Sequence, residues 1–203
     1  MKMVRERDPK KFDPALAPVL DAAEREQYLP SERVVAMLEL EGSETVLDYG
    51  AGTGQIALAV ATAIPHGRIL AADESSEMLT HLEKRLAGIE NAQAVLISSN
   101  RVPLRDGEAD RILAVNLLHE IRGETALAEM RRVIAADGIL LVIDWERGRP
   151  RPPGPPDDRL LYSAAEASDE LHRAGFNATE VTTELPYHFA IRAVATRPKT
   201  DGG

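Results

Sequence analysis

An apolar, β-favouring run leads directly into three alternating glycines near the end of the first quarter of the chain. Residues 45–48 (Thr-Val-Leu-Asp) predict a buried strand, the glycines stand at positions 50, 52 and 54, and residues 56–61 read as a helix. A strand that turns through glycines into a helix places backbone N–H groups at one edge of a sheet, where a ligand can approach them closely. Asp48, at the end of the strand, can accept a hydrogen bond from that ligand.

Strand-like and helix-like segments alternate from residue 45 onward, which is the pattern of a parallel sheet covered by helices on both faces. We predict strands over 45–48, 68–72, 92–97, 109–115 and 139–143 and helices over 55–64, 77–87 and 124–134. Asp137-Gly138 predicts a turn, and Ser163 with Glu166 predicts a capping box that opens a helix to Ala174. Two last strands, near 178–185 and 189–196, are joined by so short a connection that they must pair antiparallel.

These elements predict an α/β fold: a three-layer, Rossmann-like, doubly wound sheet of about seven strands, mostly parallel with an antiparallel C-terminal strand. We expect one domain over 1–203, since a chain of 203 residues can bury a single core. Its parts are N-terminal helices within 1–44 (predicted at 14–27 and 31–40), a ligand-binding core over 45–145, a Pro-rich loop over 146–157, and a C-terminal helix and hairpin over 158–197. The N-terminal helices either form a lid over the crevice or only cover one sheet face, and the Pro-rich loop is either ordered over the strand edge or mobile.

Composition excludes several classes of function. The net charge is −9 with both signs interspersed, so binding to nucleic acid is not expected. There is no cysteine, and no two of the five histidines stand at helical ligand spacing, so we predict neither a disulfide nor a zinc site. The charged N-terminus has no apolar signal region and no apolar run is long enough to span a bilayer, so we expect a cytoplasmic protein without a membrane anchor. Arginine far outnumbers lysine, which is typical of a GC-rich bacterial genome.

The glycine pattern separates two classes of nucleotide-binding protein. Dinucleotide-binding oxidoreductases usually carry G-x-G-x-x-G, whereas Asp48 to Gly54 reads acid-x-G-x-G-x-G. This resembles motif I of the class I S-adenosylmethionine-dependent methyltransferases, and four later segments match that family in order. The first is Asp73 followed by Met78-Leu79, and the second is Pro103-Leu104. The third is residues 109–121, and the fourth combines residues 128–145 with Leu171–Phe176. The chain is most similar to the small stand-alone group of ubiquinone/menaquinone-type and other metabolite methyltransferases.

The resemblance implies S-adenosylmethionine as cofactor and a set of residues that bind it. A carboxylate at Asp73 matches the two vicinal hydroxyls of a ribose held on the glycine loop, although it also suits a simple helix cap. Met78 would form an apolar wall on the adenine or else be a plain core residue. The predicted cofactor-binding set is Asp48, Gly50, Ala51, Gly52, Gly54, Asp73, Glu74, Met78, Ser99, Asn100 and Asn116.

The chain departs from the family at the adenine site. The family usually has an acidic residue after the third strand, which binds the adenine amino group, and here Ser98 or Ser99 takes its place. Asn100 offers both a donor and an acceptor to an adenine edge. Whether these side chains compensate for the missing acid stays open at this point.

The implied reaction is in-line transfer of a methyl group to a small-molecule acceptor. His119 is the best candidate for a general base by its ordinary pKa, with Glu120 beside it, although both residues could simply open the next helix. Asp144-Trp145 and Tyr187-His188 are candidates for the acceptor pocket. Asn116 stands where metal-dependent methyltransferases carry a carboxylate, so no metal is predicted. Two alternatives remain: a protein that binds S-adenosylmethionine or S-adenosylhomocysteine without transferring methyl groups, and an NAD-dependent oxidoreductase.

Overall fold

A seven-stranded sheet forms the centre of the molecule in a computed structural model that describes residues 11–121, 124–150, 157–181 and 184–196. The strands are β1 (Thr45–Tyr49), β2 (Arg68–Asp73), β3 (Ala92–Leu96), β4 (Ala109–Val115), β5 (Ile134–Trp145), β6 (Phe176–Val181) and β7 (His188–Ala195). Their order across the sheet is β3-β2-β1-β4-β5-β7-β6. β7 runs antiparallel to both of its neighbours, β5 and β6, and the other strand pairs are parallel, which confirms the predicted fold class.

Helices cover both faces of the sheet and complete the three layers. They are α1 (Ala17–Leu20), α2 (Ala23–Tyr28), α3 (Ser31–Met37), α4 (Gln55–Ala63), α5 (Ser76–Leu86), α6 (Glu124–Val133) and α7 (Ala164–Arg173). One apolar cluster contains side chains of α6 and α7, and the other contains side chains of α3, α4 and α5. Consecutive residues of β5 enter opposite clusters, Val142 the first and Ile143 the second, which is why this strand is apolar at every position of its centre.

The N-terminal helices differ from the prediction. Residues 14–27 do not form one helix but a 3₁₀ turn (Pro14–Leu16) followed by α1 and α2. Ala22 is extended between them, and the carboxylate of Asp21 accepts a hydrogen bond from Thr53 Oγ1 at 2.6 Å. The chain therefore makes a contact with the glycine loop at the point where a continuous helix was expected. The next helix, expected to reach Leu40, ends at Met37, and Glu39 adopts a positive φ of 51°.

The predicted turn at Asp137-Gly138 is wrong. Both residues lie inside β5, which begins directly after α6. The pairing of β4 with β5 shifts here from Ala109–Ile134 to Arg111–Ile139, so the residues between them form a bulge. A Cβ at Gly138 would lie 3.1 Å from the carbonyl oxygen of Ala109, so glycine reflects close strand packing rather than a change of chain direction.

The last two strands begin one to two residues earlier than predicted, and β6 ends at Val181. Within α7 the predicted capping box is confirmed, since Ser163 and Glu166 exchange both hydrogen bonds. The central part of the predicted Pro-rich loop, residues 151–156, lies outside the described residues.

The topology brings four polar side chains to one edge of the sheet. The chain leaves β1 in one direction for β2 and β3 and later returns on its other side for β4 and β5, so a crevice forms between β1 and β4. The carboxyl ends of β1, β2, β4 and β5 carry Asp48, Asp73, Asn116 and Asp144 in that order.

Candidate functional site

A pocket of about 180 Å³ opens at this edge of the sheet. It gathers most of the residues predicted from the sequence to bind cofactor or act in catalysis. Those that line it are Asp48, Gly50, Ala51, Gly52, Asp73, Glu74, Met78, Asn100, Asn116, His119 and Glu120. Gly54 and Ser99 do not line it.

The glycine loop forms the floor of the pocket, and two glycines have backbone conformations that L side chains rarely adopt. Gly50 has a φ of +82° and Gly52 a φ of +56°. A Cβ at Gly50 would lie 2.7 Å from Leu117 Cδ1, and one at Gly52 would lie 3.1 Å from Leu20 Cδ1. The loop therefore presents bare backbone to the pocket. Gly54 is the N-cap residue of α4 and does not line the pocket.

Asp73 holds the loop in place from the end of β2. Its Oδ2 accepts a hydrogen bond from the backbone N–H of Gly52 at 2.9 Å, and its Oδ1 accepts one from the N–H of Ser75 at 2.9 Å. Burial raises the pKa of Asp73, and these two backbone hydrogen bonds act in the opposite direction. Each carboxylate oxygen keeps a further lone pair, so the group can still accept from ribose hydroxyls.

Asp48 is deeply buried, with 3% of its surface exposed. Burial, together with the carboxylate of Asp73, raises the pKa of Asp48 to about 7, while the guanidinium of Arg25 lowers it. Arg25, on α2, is itself buried, and desolvation lowers its pKa. The pocket therefore contains a buried carboxyl and a buried cation that lie close enough to influence each other's charge.

Two buried polar atoms at the pocket find no hydrogen-bond partner among the described residues. They are Asn116 Oδ1, at the end of β4, and the hydroxyl oxygen of Tyr49, at the end of β1. Asn116 also adopts a positive φ of 53°. Buried polar atoms are nearly always hydrogen-bonded, so an unpaired acceptor that lines a pocket indicates a place for a donor from a ligand.

The opposite end of the pocket is mostly apolar. Met78, at the start of α5, and Ile97, after β3, are buried there and line the pocket. Ser99 and Asn100 follow, both exposed and both with positive φ, but only Asn100 lines the pocket. Neither Ser98 nor Ser99, which stand where the acid is expected after the third strand, lines the pocket.

His119 and Asp144 form a buried pair at the base of the other wall. His119 Nδ1 lies 2.8 Å from Asp144 Oδ1, and the backbone N–H of His119 donates to Asp144 Oδ2 at 3.0 Å. When Nδ1 donates to the carboxylate of Asp144, the lone pair of a neutral imidazole lies on Nε2. Asp144 also accepts from the N–H of Trp145 at 2.7 Å, which fixes the carboxylate. In that tautomer the ring can act as a general base.

Glu120 lies next to this pair, with its Oε1 3.8 Å from His119 Nε2. Burial raises the pKa of Glu120 to about 7, against the opposing effects of His119, of a hydrogen bond from the backbone of Phe12 and of the Lys11 ammonium, while Asp144 adds to the rise. A carboxyl in this state can hold or release a proton near neutral pH.

The N-terminal segment, residues 11–31, is fixed to the pocket by polar contacts. Arg85 Nη2 and Thr53 Oγ1 both contact Asp21 Oδ1, at 2.7 and 2.6 Å. Arg25 donates to Gln55 Oε1 at 3.1 Å, and Gln55 donates to Glu26 at 2.5 Å. Together with an ion pair of 2.6 Å between Lys11 and Glu74, these contacts place the segment across the glycine loop.

Aromatic rings border the pocket beside β5. Tyr28 and Trp145 line it, with their ring centroids 5.7 Å apart. Tyr187 and His188 do not line the pocket, contrary to their suggested role, but pack against these two rings. Burial lowers the pKa of His188 to about 3, so this histidine is neutral and supports Trp145 from behind, with ring centroids 4.1 Å apart.

Sequence reasoning missed several residues of the pocket. Arg25, Tyr28, Lys11 and Phe12 come from a segment with no motif of its own, so only its proximity in the fold reveals them. The sequence does not reveal the pairing of Asp144 with His119 either. It predicts Asp144 only as a candidate for the acceptor pocket, at the end of a buried strand. The sequence signal that points to Asp144 is its place directly after five apolar residues, 139–143.

Two further features bear on the class of protein. Among the described residues no group of three His, Cys, Asp or Glu side chains is arranged to hold a metal ion. Within the same part of the chain, no helix is long and apolar enough to cross a membrane.

Comparisons with known proteins agree with the geometry. The model of a methyltransferase domain family matches residues 46–138, which include the glycine loop, Asp73, Asn116 and His119. The crystal structure of an S-adenosylmethionine-dependent methyltransferase from Aquifex aeolicus superposes with a TM-score of 0.85. It is 28% identical in sequence, and the match covers 92% of this chain and all of the other.

Curated relatives carry more varied names. The chain is 29% identical over 187 residues to a malonyl-acyl-carrier-protein O-methyltransferase of Geobacter sulfurreducens, a match that covers 83% of the chain and 70% of the relative. It is 31% identical over 115 residues to a ubiquinone/menaquinone biosynthesis C-methyltransferase of Syntrophotalea carbinolica, covering 56% of the chain and 48% of that relative. The chain thus spans about half the length of the second relative.

Proposed function

Because this chain belongs to the S-adenosylmethionine-dependent methyltransferase family, we propose that it transfers a methyl group to a small-molecule acceptor with His119 as general base. One observation carries the proposal: a single pocket is lined at one end by the glycine loop with Asp73 and at the other by His119, which the buried Asp144 holds. A donor bound on the loop and an acceptor beside the histidine would share that cavity, and their proximity would supply much of the rate enhancement.

The residues of the pocket suit S-adenosylmethionine part by part. The unpaired Oδ1 of Asn116 and the carboxyl of Asp48 suit the amino group of the methionine moiety. Asp73, with Glu74 beside it, suits the ribose hydroxyls, and Met78 and Asn100 suit the adenine face and edge. When bound, the cofactor supplies an activated methyl group on a sulfonium, whose leaving group is a neutral thioether.

His119 accepts the proton that the acceptor must lose. Its Nε2 carries the lone pair because Nδ1 donates to Asp144, and the charge of Asp144 stabilises the imidazolium that forms. Glu120, which titrates near pH 7, takes part in passing the proton onward to solvent. No step requires a metal ion on these residues.

We assign the role of a lid to the N-terminal segment of residues 11–31. Its contacts with Thr53, Gln55 and Glu74 are made with the parts of the wall that the cofactor would touch. Leu20 covers Gly52, so a bound cofactor and the lid are in direct contact in this proposal. Exclusion of water by such a lid would protect the reacting groups. The negative net charge and the absence of a spanning helix among the described residues are in keeping with a cytoplasmic enzyme on a diffusible acceptor.

Calorimetric titration tests the cofactor assignment directly. The wild type, Asp73→Ala and Asp137→Ala are titrated with S-adenosylmethionine, S-adenosylhomocysteine and NAD. Asp137 is exposed on the bulge of β5, far from the pocket, and serves as the matched control. We expect both sulfur nucleotides to bind the wild type and the control and neither to bind Asp73→Ala. Binding of NAD alone, or equal binding by Asp73→Ala, would overturn the proposal.

A further inference from the structure

The acceptor end of the pocket combines aromatic walls with a base. Trp145 follows Asp144 directly in β5, so the ring that forms the wall and the carboxylate that orients the base belong to neighbouring residues. Tyr28 adds a second ring, tilted by 42° to Trp145, and Phe12 lines the same pocket. Faces of aromatic rings favour planar, apolar partners through offset or edge contacts.

A buried base also restricts the nucleophile. A carboxylate acceptor is already ionised at neutral pH and gains nothing from His119, whereas a hydroxyl gains from a base that takes its proton as the new bond forms. A hydroxyl on an aromatic ring, with a pKa of about 10 as in tyrosine, lies within reach of a positioned histidine. An aromatic hydroxyl is therefore the nucleophile that suits both the base and the aromatic rings of the wall.

The charges around the base disfavour an anionic acceptor. Asp144 faces His119 from β5, Glu120 faces it from its own loop, and Lys11 approaches from the N-terminal segment. The ammonium of Lys11 forms an ion pair of 2.6 Å with Glu74, so its charge is at least partly compensated. A carboxylate acceptor would meet two acidic groups here, whereas a neutral hydroxyl can donate its proton to Nε2.

We propose, on the basis of the methyl transfer argued above, that the acceptor is a planar aromatic compound methylated on the oxygen of a ring hydroxyl. The O–H proton passes to His119 Nε2, an electron pair of the oxygen forms the new bond to the methyl carbon, and the pair of the broken C–S bond stays on sulfur. The products are an aryl methyl ether, S-adenosylhomocysteine and a proton that the histidine returns to solvent. This inference separates the chain from the relative that is named as a C-methyltransferase.

A panel of matched acceptors tests the class. Mono- and bicyclic phenols are compared with the carboxylic acids and the amines of the same rings, with methylated products measured by mass spectrometry. We expect ethers from phenols and no esters or N-methyl products. Methyl transfer to the acids or the amines would overturn the inference. So would the absence of transfer to every member of the panel while calorimetry still shows binding of S-adenosylmethionine. Loss of S-adenosylmethionine binding itself would instead overturn the proposed function.

The dependence on acceptor acidity tests the role of the base. His119→Gln is compared with the wild type and with His66→Gln, a matched change at an exposed turn before β2. With a simple phenol we expect kcat to fall at least 100-fold in His119→Gln only. With a nitrophenol, ionised at the assay pH, the defect should shrink to a few-fold. An equal defect for both acceptors would show that His119 acts on something other than the hydroxyl proton.

A spectroscopic readout makes the test independent of turnover. Nitrophenolate absorbs visible light and nitrophenol does not, so titration of the bound compound in the presence of S-adenosylhomocysteine reports its ionisation. We expect the bound nitrophenol to ionise at lower pH in the wild type and in His66→Gln than in His119→Gln, because only the imidazole can take up the proton beside it. Identical titration curves in all three proteins would contradict the proposed contact between the hydroxyl and His119.

Discussion

The two ends of the pocket are built in different ways. The cofactor end uses two short, continuous stretches, residues 48–54 and 73–78, and much of its surface is backbone. The acceptor end is assembled from three distant parts: the N-terminal segment, the loop after β4 and the end of β5. His119 and Asp144 are 25 residues apart, and Tyr28 and Trp145 are further apart still.

The difference teaches how a family can keep its cofactor and change its acceptor. A floor of glycine backbone tolerates few alternatives, since Gly50 and Gly52 combine positive φ with close neighbours. Side chains from separate segments can be exchanged one at a time without disturbing that floor. The predictions below are arranged to separate the two ends, from the largest expected effect to the smallest.

Asp144→Asn should damage the acceptor end and leave the cofactor end intact. The amide keeps the shape of the carboxylate but can present a donor to Nδ1, which favours the wrong tautomer and removes the charge that stabilises the imidazolium. We expect kcat to fall by a factor on the order of 10² to 10⁴, with the affinity for S-adenosylmethionine unchanged in calorimetry. The pH profile should lose the limb that belongs to the base. Asp137→Asn, at the far end of the same strand, is the control, and a normal pH profile in Asp144→Asn would refute the pairing.

Gly50→Ala should damage the cofactor end. Its Cβ would lie 2.7 Å from Leu117, which lines the pocket, so the side chain must move into cofactor space. Gly88 has nearly the same φ, +80°, but nothing within 4 Å of an added Cβ, so Gly88→Ala carries the backbone strain alone. Both variants should lose about 1 to 2 kcal/mol of stability, and only Gly50→Ala should bind S-adenosylmethionine roughly 10-fold or more weakly. Equal affinities in the two variants would mean that the close approach to Leu117 does not matter.

Glu120→Gln should change the pH dependence of stability. In the folded protein Glu120 keeps its proton up to a pKa of about 7, whereas in the unfolded chain it loses it near the ordinary value of a glutamate. Between these values the folded state binds more protons, so stability falls as pH rises. We expect the variant to gain about 1 to 3 kcal/mol relative to the wild type on going from pH 5 to pH 8 in urea unfolding. Glu83→Gln, on the exposed face of α5, should show no such gain, and the idea fails if both variants behave alike.

The smallest effect concerns the adenine edge. Asn100→Ala should weaken S-adenosylmethionine binding by about 2- to 10-fold, the value of one or two modest hydrogen bonds. Ser99→Ala, with a similar positive φ but outside the pocket, should leave the affinity unchanged within about 2-fold. A larger loss of affinity in Ser99→Ala than in Asn100→Ala would contradict this expectation and support the prediction from the sequence that Ser99 binds the cofactor.

Most of the cofactor end could be predicted from the sequence because its information is local. Three alternating glycines after a β-favouring run, and an acid at the end of the next strand, specify a turn and a carboxylate whose places are set by the parallel sheet. Gly54 is the exception at this end. Its spacing belongs to the motif, yet its φ of +82° serves the start of α4 and its contact with Leu82.

The sequence by itself determined the α/β class, the alternation of strands and helices in the core, and the candidates for cofactor binding and for the base. Tertiary structure alone decided that Asp144 orients His119, that Ser99 lies outside the pocket and that the N-terminal segment breaks into short helices across the glycine loop. It also turned the expected bend at Gly138 into a bulge of β5. The physical reason is the same in each case: a contact such as Asp21 with Thr53 or Asp144 with His119 joins segments far apart in the chain, and no local propensity records it.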